Sequence, residues 1–342
     1  MLDNLKRGGG PLPAKFQTTV PDAHLKEQKQ VVIAGGFHNE SKFLSRCRLS
    51  RSTPRDRGKF KSTLRGFERK AILSVMFVPR QLGVWLERML PRFLTKLLHR
   101  IYDPYLRWTI RGMNRRLLRQ LFSSGAPIVA SGPFAGMKYR PWSSDGSALI
   151  PKLLGAYEQE LHGAIRQILQ REHDILIDIG CAEGYYLIGL VLKMPRITAY
   201  GFDLDERALV TCRQLAELNG VADRIHLRSG CTPEKLASSL GRKTLIICDC
   251  EGAEVELLDP VRIPGLLLAD ILVELHDRIV PRASAIIEAR FARSHTVTLI
   301  RTQDRDPRAH ALLASLRTKD QRLALEEFRG GPMEWALLTT RS

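Results

Sequence analysis

The chain has 342 residues, of which 44% are hydrophobic and 26% charged, and its formal net charge is +17. This hydrophobic content supplies a substantial core and excludes a wholly disordered chain. There is no run of 18 uncharged apolar residues, so we expect no membrane-spanning helix, and the first residues lack the apolar core of a secretory signal. The six cysteines form no C-x-x-C pair, which favours a reducing cytoplasm over a zinc site or a disulfide framework.

The positive charge lies at the N-terminal end. Residues 1–122 carry 26 Lys and Arg against 8 Asp and Glu, and the remainder is nearly neutral. Residues 1–65 are rich in Gly, Pro, Ser, Lys and Arg without a sustained period, which predicts a basic, disordered tail or a stretch that is not translated. Within residues 66–130, apolar and basic residues recur at steps of three and four, which predicts a basic amphipathic helix. Such a helix either lies on an anionic membrane or packs on the domain that follows.

Short apolar runs alternate with helical patterns in the third segment, residues 131–342. We predict strands over 175–180, 197–203, 224–230, 244–250, 269–275, 295–302 and 333–340. We predict helices over 152–170, 184–193, 206–219, 233–240, 282–292 and 308–328, with a short helix after the fourth strand. This alternation predicts an α/β fold with a doubly wound, Rossmann-like parallel sheet.

The first predicted strand runs into a turn of small residues, in which Gly180, Ala182 and Gly184 are spaced two apart. This is not the G-x-G-x-x-G spacing of a dinucleotide site. In a doubly wound sheet, ligands bind at the carboxyl ends of the strands, where small residues let the backbone approach the ligand. Either a turn that binds a ligand or a purely structural tight turn accounts for this pattern.

The second predicted strand ends at Asp203, which lies 23 residues after Gly180. An acidic residue at about this distance can accept hydrogen bonds from the hydroxyls of a ribose. The alternative role is that of a helix N-cap, for which Asp205 is the better candidate. Together the glycine turn and Asp203 predict a site for a nucleoside-containing ligand.

The fourth predicted strand ends in two carboxylates, Asp249 and Glu251. If the chain remains extended there, both side chains lie on one side of it. They could orient an acceptor hydroxyl, act as general base or hold a divalent cation, and the alternative is a helix N-cap favoured by the helix dipole. The neighbouring Cys248 and Cys250 are interpreted as strand packing.

The fifth predicted strand ends in Glu274 and His276. Histidine is the usual side chain for proton transfer near neutral pH, although a single histidine at a strand end is often structural. Because Glu274 and His276 would share one face and lie beside the turn after the fourth strand, we interpret His276 as a candidate catalytic residue.

These four segments, D-I-G-C-A-E-G, Y-G-F-D, D-C-E-G-A-E and V-E-L-H-D in that order, resemble the FkbM-like class I S-adenosylmethionine-dependent methyltransferases. The resemblance covers roughly residues 150–340. It implies a seven-stranded sheet whose last strand is antiparallel, S-adenosylmethionine as cofactor, and methyl transfer, usually to oxygen, on sugars or natural products.

The same resemblance implies roles for individual residues. The methionine side of the cofactor would be lined by Asp178, Gly180, Glu183 and Gly184. Asp203 would hold the ribose, and the acceptor would face Asp249, Glu251 and His276. No residue is assigned to a metal.

The sequence thus predicts a methyltransferase that acts on a hydroxyl of a small molecule, carbohydrate or lipid-linked glycan. We expect it in the cytoplasm, with peripheral contact to the inner face of an anionic membrane. One alternative is an RNA methyltransferase that uses the basic N-terminal region, although no N/D-P-P-Y/F motif follows the fourth strand. Another is a non-catalytic module that only binds the cofactor. The oligomeric state is not indicated.

Overall fold

The computed structural model describes residues 108–122, 127–140, 148–329 and 331–341. The predicted basic tail over residues 1–65, and the part of the predicted amphipathic helix that precedes residue 108, lie outside the described residues. The described chain begins with a helix over 108–121, named α1 here.

The remaining elements alternate as predicted. The strands are β1 (Ile175–Ile179), β2 (Thr198–Asp203), β3 (Ile225–Ser229), β4 (Thr244–Cys248), β5 (Asp270–Leu275), β6 (His295–Arg301) and β7 (Glu334–Thr340). The helices are α2 (Leu149–Leu154), α3 (His162–Leu169), α4 (Tyr185–Lys193), α5 (Glu206–Leu218), α6 (Pro233–Ser239), α7 (Glu254–Leu257), α8 (Ala283–Phe291) and α9 (Thr318–Ala324).

The seven strands form one sheet in the order β3-β2-β1-β4-β5-β7-β6. Strands β1 to β5 pair in parallel, and β7 is antiparallel to both β5 and β6. The prediction of a doubly wound seven-stranded sheet with an antiparallel last strand is confirmed. Because β1 and β4 are neighbours at the point where the strand order reverses, the loops after them border the crevice where such sheets bind ligands.

The central strands are buried on both faces, which explains their nearly continuous apolar sequences. In β4, Leu245 and Ile247 belong to the hydrophobic core on one face of the sheet. Ile246 and Cys248 belong to the core on the other face. A polar residue on such a strand can therefore reach water only beyond the strand's end.

Helix α1 packs on the α/β domain through a third apolar cluster. Its Leu117 is fully buried together with Ile150, Leu154 and Leu313. Its exposed face carries Arg111, Arg115, Arg116 and Arg119. Residues 108–121 of the basic region therefore form an amphipathic helix, with the apolar face turned to the protein.

Two predicted helices are interrupted. The helix predicted over 152–170 ends at Leu154, because Gly155 adopts a left-handed conformation (φ 72°) and packs against Ser131, whose carbonyl oxygen would lie 1.9 Å from an added Cβ. The helix predicted over 308–328 is reduced to short 3₁₀ turns and α9, because Leu316 and Arg317 are extended. In the described part of the chain, none of the helices has the length and apolar content needed to cross a membrane.

Candidate active site

The turn between β1 and α4 alternates in and out of the left-handed region. Gly180, Ala182 and Gly184 have φ values of 84°, 46° and 92°. Glycine adopts this region freely, whereas alanine does so at a steric cost. The backbone N–H of Ala182 donates a hydrogen bond to Oδ2 of Asp203 (2.8 Å). The end of β2 therefore holds the turn in this conformation.

Gly180 also brings this turn against the loop that follows β4. A Cβ built on Gly180 would lie 1.7 Å from the carbonyl oxygen of Asp249. The N–H of Asp249 donates to the carbonyl oxygen of Ile179 (2.9 Å). Only glycine permits this approach, which joins the glycine turn and the acidic loop into one site.

Asp203 lies at the end of β2 with both carboxylate oxygens oriented by backbone. Besides the bond from Ala182, its Oδ1 accepts a hydrogen bond from the N–H of Asp205 (2.8 Å). Asp205 itself caps α5 by accepting from Arg207 N–H, so the prediction that Asp205 is the better N-cap candidate is confirmed. The side chain of Leu204, between them, is 86% exposed.

Glu183 is buried beneath the glycine turn. Its Oε1 accepts hydrogen bonds from the Tyr139 hydroxyl (2.6 Å) and from Lys152 Nζ (2.5 Å). Burial acts to raise the pKa of Glu183, but the Lys152 charge and these hydrogen bonds hold it below the usual range. Its carboxylate thus anchors the turn to the preceding segment. Neither Tyr139 nor Lys152 was singled out from the sequence.

Asp178 lies on β1 directly before the turn and is buried. Its Oδ2 has no hydrogen-bond partner among the described residues. Burial, followed by the nearby charges of Asp249 and Asp203, raises the pKa of Asp178 to about 8. A carboxyl group with this pKa is largely protonated at neutral pH and can donate a hydrogen bond.

The loop after β4 does not continue as an extended strand. β4 ends at Cys248, and Glu251 and Gly252 both have positive φ values, of 52° and 103°. The prediction that Asp249 and Glu251 lie on one side of an extended chain is therefore wrong. A turn brings them together instead.

This turn is fixed by Glu254, which is fully buried. Glu254 Oε2 accepts from the N–H of Gly252 (2.9 Å), and Oε1 accepts from the N–H of His276 (3.0 Å). The carboxylate therefore connects the loop after β4 to the end of β5. The sequence motif included Glu254, but nothing in its spacing indicated this structural role.

The imidazole of His276 lies between four carboxylates. Nδ1 is 3.3 Å from Glu254 Oε1, and Nε2 is 3.7 Å from Asp249 and 3.6 Å from Glu251. Nε2 also lies 3.9 Å from Glu274 Oε1. Burial acts to lower the pKa of His276, but contact with Glu254 and the charges of the other acids raise it above its usual value.

Two of these carboxyl groups have pKa values above their usual range. Burial, with the charge of Asp249 beside it, raises the pKa of Glu274 to about 9. Burial also raises the pKa of Asp249 to about 6, against the opposing effect of His276. Such displaced pKa values, caused by burial and by like charges, are typical of functional sites.

Arg329 closes one side of this cluster. Its Nη1 lies 3.4 Å from Glu274 Oε1, and Nη2 donates to the Tyr157 hydroxyl (3.1 Å) and to Glu158. Glu327 accepts from its Nε (2.8 Å). Arg329 lies 55 residues after Glu274, and no motif in the sequence connected the two.

The cysteines near the site pack in the interior. Cys248 is buried in the core, and its sulfur lies 3.4 Å from that of Cys250. Cys231 is partly buried and packs against the same core. This agrees with the interpretation of Cys248 and Cys250 as packing residues.

The structure thus gathers the predicted residues at the carboxyl ends of neighbouring strands. Asp178, Gly180, Glu183 and Gly184 lie in or next to the glycine turn, and Asp203 is bonded to it. Asp249, Glu251 and His276 meet on the adjoining side, where Glu274 joins them.

No protein-family model matches the chain. Among curated proteins, it is 37% identical over 75 residues to a probable cobalt-precorrin-6B C(15)-methyltransferase (decarboxylating) of Pyrobaculum calidifontis, covering 22% of this chain and 38% of that protein. It is 31% identical over 102 residues to a ribosomal protein L11 methyltransferase of Hamiltonella defensa, covering 29% of this chain and 33% of that protein. The chain therefore spans about a third of the length of these relatives.

Solved structures that align with the chain include a putative O-methyltransferase from Klebsiella pneumoniae, with 14% identity, a TM-score of 0.38, and coverage of 69% of this chain and 100% of that one. A second is an O-methyltransferase from Bacillus cereus in complex with SAH, with 14% identity, a TM-score of 0.36, and coverage of 54% and 81%. The segments matched in sequence are similar to those of methyltransferases.

Proposed function

We propose that this protein is an S-adenosylmethionine-dependent methyltransferase that transfers a methyl group to a hydroxyl of a carbohydrate, a lipid-linked glycan or a natural product. The observation that carries the proposal is the backbone contact between Gly180 and Asp249. This contact brings a turn suited to a nucleoside ligand, to which Asp203 is hydrogen-bonded, next to a cluster of carboxylates and an imidazole suited to proton transfer. The sequence similarity to methyltransferases supports the same activity.

The residues around the glycine turn fit the cofactor. Each Asp203 oxygen that accepts one backbone hydrogen bond keeps a second lone pair, which is available to a ribose hydroxyl. The exposed side chain of Leu204 offers an apolar surface beside it for the base. Gly180 and Gly184 would hold the methionine side close to the backbone, and Asp178 would face it as a neutral carboxyl group.

When bound, S-adenosylmethionine supplies a sulfonium methyl group, whose carbon is attacked by the acceptor oxygen while the electrons of the carbon–sulfur bond return to sulfur. The chain's own residues must align the acceptor and take up its hydroxyl proton. Glu251 is the exposed carboxylate of the cluster and is the proposed base. Asp249 and His276 would orient the hydroxyl toward it.

The acceptor class is proposed from this chemistry and from the FkbM-like resemblance. The names of the two curated relatives point to different acceptors, a cobalt-precorrin and a ribosomal protein, so they do not indicate one for this chain. Carboxylates and an imidazole suit removal of a proton from a hydroxyl, which has to be deprotonated during transfer.

The experiment incubates the full-length protein with S-adenosylmethionine labelled in the methyl group. Separate reactions contain a lipid-linked glycan extract, free sugars, or total RNA, and label incorporation is measured in each. We expect label in the glycan or sugar fraction, and it should resist mild base because a methyl ether, unlike a methyl ester, is stable to it. Label in RNA alone would favour the RNA methyltransferase, and binding of cofactor with no transfer to any class would favour the non-catalytic module.

We further propose that the basic N-terminal region attaches the enzyme to the inner face of an anionic membrane, near lipid-linked acceptors. The charge distribution supports this, and so does the exposed arginine face of α1, which begins with the 57% exposed Trp108. Each Lys or Arg near an anionic surface contributes about 1 kcal/mol. RNA binding through the same charges is the alternative.

A further inference from the structure

We propose that Asp249, Glu274 and His276 form a binding site for a divalent metal cation on the acceptor side of the crevice. Metal binding itself is independent of the function proposed above, whereas the role given to the cation below rests on that function. The proposal starts from the position of three different side chains that can each offer one ligand atom.

The three ligand atoms converge. One oxygen of each carboxylate and one imidazole nitrogen all lie within 4.8 Å of one another. Nε2 of His276 is 3.7 Å from Asp249 Oδ1 and 3.9 Å from Glu274 Oε1. Atoms that share an ion at about 2.1 Å are separated by roughly 3 to 3.6 Å, so small side-chain movements complete the site.

One carboxylate oxygen in this cluster has no hydrogen-bond partner, and one imidazole nitrogen makes only long contacts. Oδ1 of Asp249 is a buried atom without a hydrogen bond to any described residue. The His276 side chain is 5% exposed, and Nε2 faces carboxylates at distances longer than a hydrogen bond. Buried polar atoms are normally satisfied, so such a group calls for a missing ligand. A cation would satisfy both residues at once.

Glu254 prepares His276 for this role. Its Oε1 lies 3.3 Å from Nδ1 and accepts a hydrogen bond from the His276 N–H. The contact with Nδ1 does not meet hydrogen-bond geometry. In the neutral ring, a carboxylate on this side still favours the tautomer with the proton on Nδ1, which leaves the Nε2 lone pair directed at Asp249 and Glu274. Metal-binding histidines commonly have such a carboxylate behind them, which fixes the ring and raises its basicity.

The local charge favours a cation as well. The carboxylates of Asp249, Glu251 and Glu274 surround the Nε2 atom of His276, and Arg329 contacts only the Glu274 side. A bound cation would offset the mutual repulsion of these closely spaced carboxylates.

The ligand types indicate which cation binds. Two carboxylates and one imidazole suit Mn²⁺, Fe²⁺ or Zn²⁺, because imidazole is a good ligand for these ions, whereas Mg²⁺ prefers oxygen ligands alone. The cluster also remains open, since the side chains of Asp249 and Glu251 are 37% and 81% exposed. The acceptor oxygen could therefore complete the coordination.

The cation would explain how a carboxylate can serve as base. The pKa of a glutamate lies far below that of a free alcohol, so Glu251 can take up the proton only as the acceptor oxygen forms its new bond. A hydroxyl bound to a divalent cation has a greatly lowered pKa. Its proton would pass to Glu251, and the oxygen electron pair would form the new bond to the methyl carbon as the carbon–sulfur bond breaks.

The test measures binding of Mn²⁺ to the full-length protein by electron paramagnetic resonance, after treatment with a chelator and without S-adenosylmethionine. We expect one ion per chain, and at least tenfold weaker binding in Asp249→Asn and His276→Gln. Glu256→Gln, on the exposed side of α7, is the matched control and should bind as the wild type does. Far-ultraviolet circular dichroism verifies folding of each variant.

Absence of Mn²⁺ binding by the wild-type protein would overturn the proposal, whatever the variants do. Equal binding by folded Asp249→Asn and the wild type would also overturn it. Calorimetry with S-adenosylmethionine in the presence of the chelator is a separate readout: loss of cofactor binding there argues against the proposed function and leaves the metal result unchanged.

Discussion

Glu254 and His276 are 22 residues apart in sequence and are joined twice, through the His276 N–H at 3.0 Å and through Nδ1 at 3.3 Å from the same oxygen. Glu254 opens the helix that follows β4, and His276 directly follows β5. One buried carboxylate therefore holds the backbone and lies beside the ring of the only histidine in the described site. The position of His276 depends on the loop after β4 as much as on its own strand.

The close contact between Gly180 and Asp249 makes glycine at position 180 essential for the stability of the fold. In Gly180→Ala, the added Cβ would lie 1.7 Å from a backbone oxygen at a residue with a φ of 84°. We expect the free energy of unfolding, measured with urea, to fall by about 2–4 kcal/mol. Gly163→Ala, in α3 with no atom within 4 Å of the new Cβ, is the control and should be stabilised by roughly 0.5–1 kcal/mol. Equal stability of the two variants would contradict the close approach.

Asp203 is expected to contribute to cofactor binding. Asp203→Ala would remove the proposed hydrogen bonds to the ribose and should weaken S-adenosylmethionine binding by roughly 1–3 kcal/mol, measured by calorimetry. Asp205→Ala loses only the cap of α5, so it should cost about 1 kcal/mol of stability and leave the affinity unchanged. Wild-type affinity in a folded Asp203→Ala protein would refute the ribose role.

Glu251 is expected to affect turnover more than cofactor affinity. Glu251→Gln keeps the shape of the side chain but cannot take up a proton, so kcat should fall by about 10²–10⁴-fold in the methyl-transfer assay. Glu256 lies five residues further along the chain and 3.8 Å from Arg262. Glu256→Gln serves as the charge-matched control and should keep full activity. Full activity of Glu251→Gln would exclude it as the base.

Asp178 should make stability depend on pH. Its pKa is raised to about 8 in the folded protein, against about 3.9 in the unfolded chain. The folded state therefore retains a proton that the unfolded state loses, so this contribution to stability is complete below about pH 4 and declines as pH rises to 8, by at most about 1.4 kcal/mol per pH unit. Asp178→Asn should show a smaller decline.

The measurement is urea unfolding at pH 5 and 7.5 in the presence of a chelator, for the wild type, Asp178→Asn and Asp174→Asn. Asp174 is exposed just before β1, so its variant should follow the wild type. A decline of the same size in all three proteins would show that Asp178 is not the titrating group.

The basic N-terminal region should be separable from cofactor binding. Residues 1–107 carry 22 Lys and Arg, and their deletion leaves the buried face of α1 in place. We expect the truncated protein to co-sediment more weakly with phosphatidylserine vesicles, because only the four arginines of α1 remain from the basic region, while its affinity for S-adenosylmethionine is unchanged. Vesicle binding equal to that of the full-length protein would refute a membrane role for residues 1–107. Binding of the full-length protein to RNA but not to vesicles would favour the RNA alternative.

The local features of the site could be predicted from the sequence. Alternating apolar strands and helices predicted the sheet, because the period of apolar residues reports which faces are buried. The glycine turn and Asp203 were found because tight turns and strand ends need particular residue types at fixed spacing. Asp205 was correctly separated from Asp203 as a cap for the same reason.

The partners of these residues were decided by the tertiary structure. Glu274 contacts Arg329, which is 55 positions away, and Glu183 is paired with Lys152 and Tyr139 from a segment before the sheet. Glu251 does not continue the strand as predicted, because a turn with a positive φ replaces the strand there. A single sequence states which side chains are polar, but the pairing of buried charges depends on distances across the fold. Those distances are set by helix packing and strand order, and they leave no periodic pattern in the sequence.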